Sequence, residues 1–138
     1  MIVLDTNVVS ELMRNAAEPA VVRWVDAFDP EDVFLTAVTA AELVYGVARL
    51  PMGRRQERLS GQVNALLAED FADQVLPFDE LAAAHYADIV VSRERSGRPI
   101  SMGDAQTAAI CRQWSAGVAT RNVADFTDTG IDVINPWE

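Results

Sequence analysis

Five short runs of β-favouring residues, separated by helix-length segments or turns, constrain the fold of this sequence more than any other feature. They fall at residues 2–4, 33–36, 74–77, 118–120 and 132–134. The first, Ile2-Val-Leu4, is wholly apolar, the pattern of a strand buried on both faces. Between the runs the apolar spacing predicts a helix to about residue 14, capped by Thr6 or Asn7, and further helices over 18–28, 37–50, 54–68, 80–95 and 102–115. Thr36, Asp79 and Ser101 stand where N-caps belong. Pro51-Met-Gly53 breaks one helix, and Gly97-Arg-Pro99 and Gly117 stop two others. Strands alternating with helices predict an α/β fold with a mostly parallel sheet covered on both faces. The length, 138 residues with no linker-like stretch, suits one domain over residues 1–138.

The charge excludes several chemistries. Twenty-one acidic residues face eleven basic ones, all arginine, for a net charge of −10. With no lysine, Schiff-base and P-loop chemistry are ruled out. The net charge also argues against direct, free-standing binding to nucleic acid. Cys111 is the one cysteine and His85 the one histidine, so neither a zinc site nor an internal disulfide can be assembled. Any metal must be held by oxygens, which favours Mg²⁺ or Mn²⁺. No apolar run approaches the roughly 18 residues a membrane helix needs, and the first residues lack a signal-peptide pattern. A cytoplasmic protein with no membrane contact is expected.

Asp5 follows the carboxyl end of the first strand, and Thr120, Asn122 and Asp125 follow that of a later one. Thr39-Ala-Ala-Glu42 and Ser101-Met-Gly-Asp104 open helices that start near the same edge. Ligands in α/β folds sit beyond the carboxyl ends of the strands. Each acid alone also fits a local role: Asp5 a cap, Asp125 a turn, Thr39–Glu42 and Ser101–Asp104 capping boxes. Carboxylates brought together repel one another unless a cation neutralises them. Convergence of acids without histidine therefore describes an oxygen-ligand Mg²⁺ or Mn²⁺ site.

These segments carry a resemblance. Val3-Leu-Asp-Thr-Asn7 with Ser10-Glu11, and Thr39-Ala-Ala-Glu-Leu-Val-Tyr-Gly46, resemble the opening half of PIN-domain proteins. Arg98-Pro-Ile-Ser-Met-Gly-Asp-Ala-Gln106 and Ala119-Thr-Arg-Asn-Val-Ala-Asp-Phe126 resemble the closing half. Leu76-Pro-Phe-Asp79 and Ile134-Asn-Pro-Trp137 are similar to the VapC and FitB branch of that family. The resemblance spans nearly the whole chain. It implies a three-layer α/β/α fold and a Mg²⁺- or Mn²⁺-dependent endoribonuclease that is the toxin of a toxin–antitoxin pair. It further implies a homodimer and a VapB/FitA-like antitoxin through which alone DNA would be contacted. Asp5, Glu42 and Asp104 match the family's first three acids. Asn122 stands where many members have Asp, and Asp125 matches an acid that others carry nearby. Thr6 and Asn7 are implied to support the Asp5 carboxylate.

On this reading the acids serve as metal ligands and as the catalytic centre for hydrolysis of an RNA phosphodiester. Arg121, beside Thr120, is a candidate RNA or metal-site contact. Arg54, Arg55 and Arg58 on one helix, and Arg93, Arg95 and Arg98 near the end of another, fit solvated surface. Glu11 fits helix support or solvent, and His85 packing or surface. Trp24, Phe28 and Leu50 are candidate contacts for an antitoxin, or core. One alternative keeps the fold without the chemistry, as a non-catalytic binding or regulatory module acting with an antitoxin. Another, an aspartate-nucleophile phosphatase, calls for Asp at the place of Asn7 and a downstream lysine, and has neither. Replacing Asp5 or Asp104 by Asn is expected to abolish cleavage and to leave the metal-free fold unharmed or stabilised.

Overall fold

A computed structural model describes residues 1–138. Strands β1 (Ile2–Leu4), β2 (Val33–Thr36), β3 (Val75–Leu76), β4 (Gly117–Ala119) and β5 (Val133–Ile134) form one sheet in the order β3-β2-β1-β4-β5. Every pairing is parallel. The helices are α1 (Thr6–Leu12), α2 (Pro19–Asp26), α3 (Ala37–Ala48), α4 (Arg54–Ala65), α5 (Glu80–Arg95) and α6 (Met102–Trp114). A π-type turn, Leu66–Asp70, continues α4, and a 3₁₀ turn, Val123–Phe126, follows β4. No helix is long and apolar enough to cross a membrane.

Alternate residues of a strand point to opposite faces, and both faces of this sheet are covered. Val3 and its register partner Val118 pack with Ile89 of α5 and with Ala108, Ala109 and Ile110 of α6. Ile2, Leu4, Leu35 and Ala119 pack on the other side with Val8, Val9, Val21, Leu43 and Val63. Helices on each face of a parallel sheet give the expected three layers. Trp24 and Phe28 form an edge-to-face pair with centroids 4.7 Å apart, packed against this second core, so they are not a free apolar surface.

Local chemistry corrects several boundaries. Asp5 itself caps α1, its Oδ1 accepting the Thr6 N–H at 2.9 Å, in place of Thr6 or Asn7. Thr36 caps α3 through the Thr39 N–H, as expected, so Thr39 and Glu42 form no capping box. α6 is stopped by Ser115, which takes the left-handed conformation (φ 53°), and not by Gly117. Gly117 instead begins β4. A Cβ there would lie 3.3 Å from both the Asp132 carbonyl oxygen and Ile2 Cδ1, so glycine permits the close strand approach. Gly97 (φ 73°) does stop α5, and the Arg98 N–H reaches back to the Arg93 carbonyl at 2.9 Å.

β1 lies at the centre. The chain works outward from it through β2 to β3 and then returns to β4 on its other side. The two directions part between β1 and β4, and the crevice beyond their carboxyl ends is where such a sheet binds ligands. Asp5 and Thr120 are the first residues past those ends.

Candidate metal centre at the carboxyl edge of the sheet

Asp5 is 8% exposed and tightly held. Its Oδ2 accepts from Thr120 Oγ1 at 2.8 Å and from Asn7 Nδ2 at 3.1 Å. Thr120, fully buried, also accepts from Asn7 Nδ2 at 3.2 Å and from the Asn122 N–H at 3.0 Å. Asn7 Oδ1 in turn accepts the Arg121 N–H at 3.0 Å. This lattice locks the ends of β1 and β4 together and fixes the Asp5 carboxylate. An ionised carboxylate has about four acceptor sites. Three donors occupy Asp5, which leaves one lone pair on Oδ1.

Thr6 Oγ1 donates to Glu42 Oε2 at 2.9 Å and lies 3.2 Å from the hydroxyl of buried Thr39. Glu42 is thus oriented from α1 although it sits on α3. Glu42 Oε1 comes within 3.6 Å of where a Cβ on Gly103 would stand, so the N-terminal half of α3 meets the first turn of α6. Ser101 caps α6 by accepting the Asp104 N–H at 3.2 Å, the expected half of its capping box. Burial raises the pKa of Asp104 above the ordinary value of 3.8, and the charges of Asp5, Asp125 and Glu42 raise it further. The Ser101 hydroxyl pulls it partly back. Asp104 therefore feels all three other expected acids.

The four acids share an edge without closing around one point: no three of them are placed to hold a single ion. Glu42, although held by Thr6, and Asp125 are both exposed. The donors are all carboxylate oxygens, the charges of three of them add to the rise that burial gives Asp104, and Asp5 keeps a lone pair. That set fits a hard divalent cation on its chemistry.

Asn122 is exposed, and no hydrogen bond of its side chain caps the turn that begins there. The Arg121 guanidinium stacks over the Trp137 ring, 4.7 Å from its centroid, at the rim of the edge. Burial and the charge of Asp5 push the Cys111 thiol up to about 12, so no nucleophile is available there. Glu11 does not face solvent. It is buried, paired with Arg14 at 3.0 Å and accepting the Glu18 N–H at 3.2 Å, and so ties α1 to the loop before α2.

A groove of about 470 Å³ opens beside the acids, between α1, α3 and α4. Thr6 and Glu42 line one end, Leu50 and Leu59 part of its wall, and Arg14, Arg55 and Arg58 also line it. Of the three ion pairs in the protein, none involves Arg55 or Arg58. Arg55 and Arg58, read from the sequence as solvated surface, are therefore cations without an ion-pair partner that line this groove.

Two residues have other roles than the sequence suggested: Thr39, read as part of a capping box, and Arg93, read as solvated surface, are both buried. Thr39 backs Thr6, and Arg93 is buried behind Asp125. Arg93 had a legible signal: it continues the stripe of Ala82, Tyr86 and Ile89 that α5 turns to the core.

Comparison with known proteins places these features in a wider set. The PIN domain model matches residues 2–130. The VapC ribonuclease Y4jK of Sinorhizobium fredii is 44% identical over 142 aligned positions, covering 100% of this chain and 99% of the relative. Toxin FitB of Neisseria gonorrhoeae is 42% identical over 137, covering 99% of each. A solved structure of FitAB bound to the IR36 DNA fragment superposes with a TM-score of 0.93 at 40% identity, covering 100% of this chain and 96% of that one.

Proposed function

The chain belongs to the PIN-domain family, and from that premise we propose that it is a metal-dependent ribonuclease, the toxin of a toxin–antitoxin pair. The observation that carries the reading is that Asp5, Glu42, Asp104 and Asp125, from four segments, share the carboxyl edge of β1 and β4, where the charges of the other three act on Asp104. A relative named a ribonuclease over its whole length supports the activity. One named a toxin, with a solved complex on DNA, supports pairing with an antitoxin that carries the DNA contact. The net charge of −10 agrees, since this chain is poorly suited to bind DNA alone.

Asp5, Glu42, Asp104 and Asp125 would hold one or two Mg²⁺ or Mn²⁺ ions. Such a cation, when bound, lowers the pKa of water and offsets the charge of the scissile phosphate. The chain's own residues do the rest. Asn7 and Thr120 hold Asp5 in one orientation, with its remaining lone pair free. Thr6 aims Glu42 from α1 and fixes the spacing between the first and second acids. Cys111, buried and protonated, does not compete with water as nucleophile.

The same reading assigns the groove to the RNA strand. Arg55 and Arg58 have no carboxylate partner and share their groove with Glu42, so they can hold phosphates next to the one being cut. Arg55→Gln with Arg58→Gln should weaken RNA binding and leave Mn²⁺ affinity unchanged. For single strands the salt dependence falls by about 0.7 in log–log slope for each phosphate no longer neutralised, so by about 1.4 for both. RNA titrations at several salt concentrations check this. An unchanged slope would remove the groove from the substrate path.

The test of the function is cleavage of a mixed pool of structured RNAs by purified protein with Mn²⁺, Mg²⁺ or EDTA. Cleavage that requires the metal is expected. Mn²⁺ binding without cleavage of any RNA would instead favour a non-catalytic module that works through its antitoxin.

A further inference from the structure

Arg93 is a side chain the mechanism has not used. It lies near the end of α5 and is only 6% exposed, yet it belongs to none of the ion pairs. Burying a guanidinium without a carboxylate is costly unless its N–H groups are fully engaged. Here they meet backbone carbonyls. Nε donates to Arg98 O at 2.6 Å, and Nη1 donates to Asp125 O at 3.1 Å and to Thr127 O at 2.9 Å.

The acceptors are informative. Arg98 lies three residues before Ser101, the cap of the helix that presents Asp104. Asp125 and Thr127 lie at the end of the 3₁₀ turn that presents the Asp125 carboxylate. One planar fork therefore grips both segments that carry the third and fourth acids. On the surface the Arg98–Asp128 ion pair joins the same two segments, but it is exposed, and such pairs contribute little.

We infer that Arg93 is a positioning residue for the metal centre: it sets the spacing between Asp104 and Asp125 by holding the backbone of their two segments. The role rests on the reading of those acids as metal ligands. It reaches no substrate and no reacting atom. Its rigid fork reaches the three carbonyls from two nitrogens held in one plane, whereas the three donors of a lysine all sit on one atom. It also gives the Asp125 and Thr127 carbonyls, at the end of the turn, a donor from α5.

The experiment is Mn²⁺ titration, by calorimetry or by electron paramagnetic resonance, of the unaltered protein and of Arg93→Gln, Arg93→Lys and Asp128→Asn. Thermal unfolding of each metal-free protein accompanies it. Groups that orient metal ligands commonly contribute about 10–100-fold to affinity. Arg93→Gln should weaken Mn²⁺ binding by at least about tenfold, the low end of that range. Arg93→Lys, which keeps the charge and loses the fork, should fall between it and the unaltered protein. Asp128→Asn should bind as the unaltered protein does. A purely structural role would lower the melting temperature of both Arg93 variants and leave the affinity of the folded protein untouched, and that result overturns the inference. If Arg93→Gln does not fold, Arg93→Lys decides the question by the same criterion. Failure of the unaltered protein to bind Mn²⁺ overturns the metal reading and this role with it, whereas normal binding with unaffected variants overturns this role alone.

Discussion

Asp5→Asn should reduce metal-dependent RNA cleavage by about 100-fold or more, since removing even a group that merely supports a metal ligand costs up to that much. It should also lower the melting temperature in EDTA. The second half reverses what charge repulsion alone suggests. Asp5 accepts three hydrogen bonds, and an amide cannot accept all three. If the new NH₂ takes the place of Oδ2, it meets Asn7 Nδ2 and Thr120 Oγ1. Both lone pairs of Thr120 are already taken by Asn7 and the Asn122 N–H, so no acceptor remains. If the NH₂ takes the place of Oδ1, the Thr6 N–H loses its cap. Either arrangement leaves donors facing donors at a site only 8% exposed, at a cost of about 1–3 kcal/mol. Parallel cleavage assays and thermal unfolding by circular dichroism check both halves. Undiminished cleavage would remove Asp5 from the centre. Undiminished stability would mean that the Asn7–Thr120 lattice does not hold Asp5 in solution.

The reason this cost was not legible in the sequence is general. Strand and helix identities follow from local patterns, and the runs at 2–4, 33–36 and 80–95 were placed where the structure has them. The carboxyl edge shared by Asp5, Glu42, Asp104 and Asp125 was also readable, because the carboxyl ends of parallel strands share one side, but how far apart the acids stand along it was not. A hydrogen-bond lattice depends on register between residues more than a hundred positions apart, and no local pattern encodes it. Thr120 illustrates this: its position after a strand was readable, but its bond to Asp5 needs the pairing of β1 with β4. Arg93 is a different case. Its place on the buried stripe of α5 was visible, but an arginine near a helix end also suits solvent and the helix dipole. What decided between them was the pair of acid-bearing segments packed over it. Helix ends were read least well, as with Ser115 and Gly117, because a left-handed residue need not be glycine.

Asp104→Asn should eliminate cleavage just as thoroughly and have the opposite effect on the metal-free fold. Asp104 is half-buried, and its pKa is raised by burial and then by Asp5, Asp125 and Glu42. The folded state thus holds the Asp104 proton more tightly than the unfolded chain does. Stability is accordingly lost as pH rises from the ordinary value of 3.8 through the raised one, and the charged form is a standing penalty above that. Asparagine removes the charge and keeps the shape. The cap of α6 survives, because Ser101 accepts the backbone N–H of residue 104, not its side chain. In EDTA near neutral pH the variant should therefore melt at or above the temperature of the unaltered protein, and the difference should vanish below the ordinary carboxylate range. Mn²⁺ should reverse the order, since a ligand that binds only the folded state stabilises it and the unaltered site binds more tightly. Unfolding followed across pH, with and without Mn²⁺, tests all three points. Clear destabilisation of Asp104→Asn at neutral pH in EDTA would mean that Asp104 serves the helix rather than a cation, and the centre would have to be rebuilt without it.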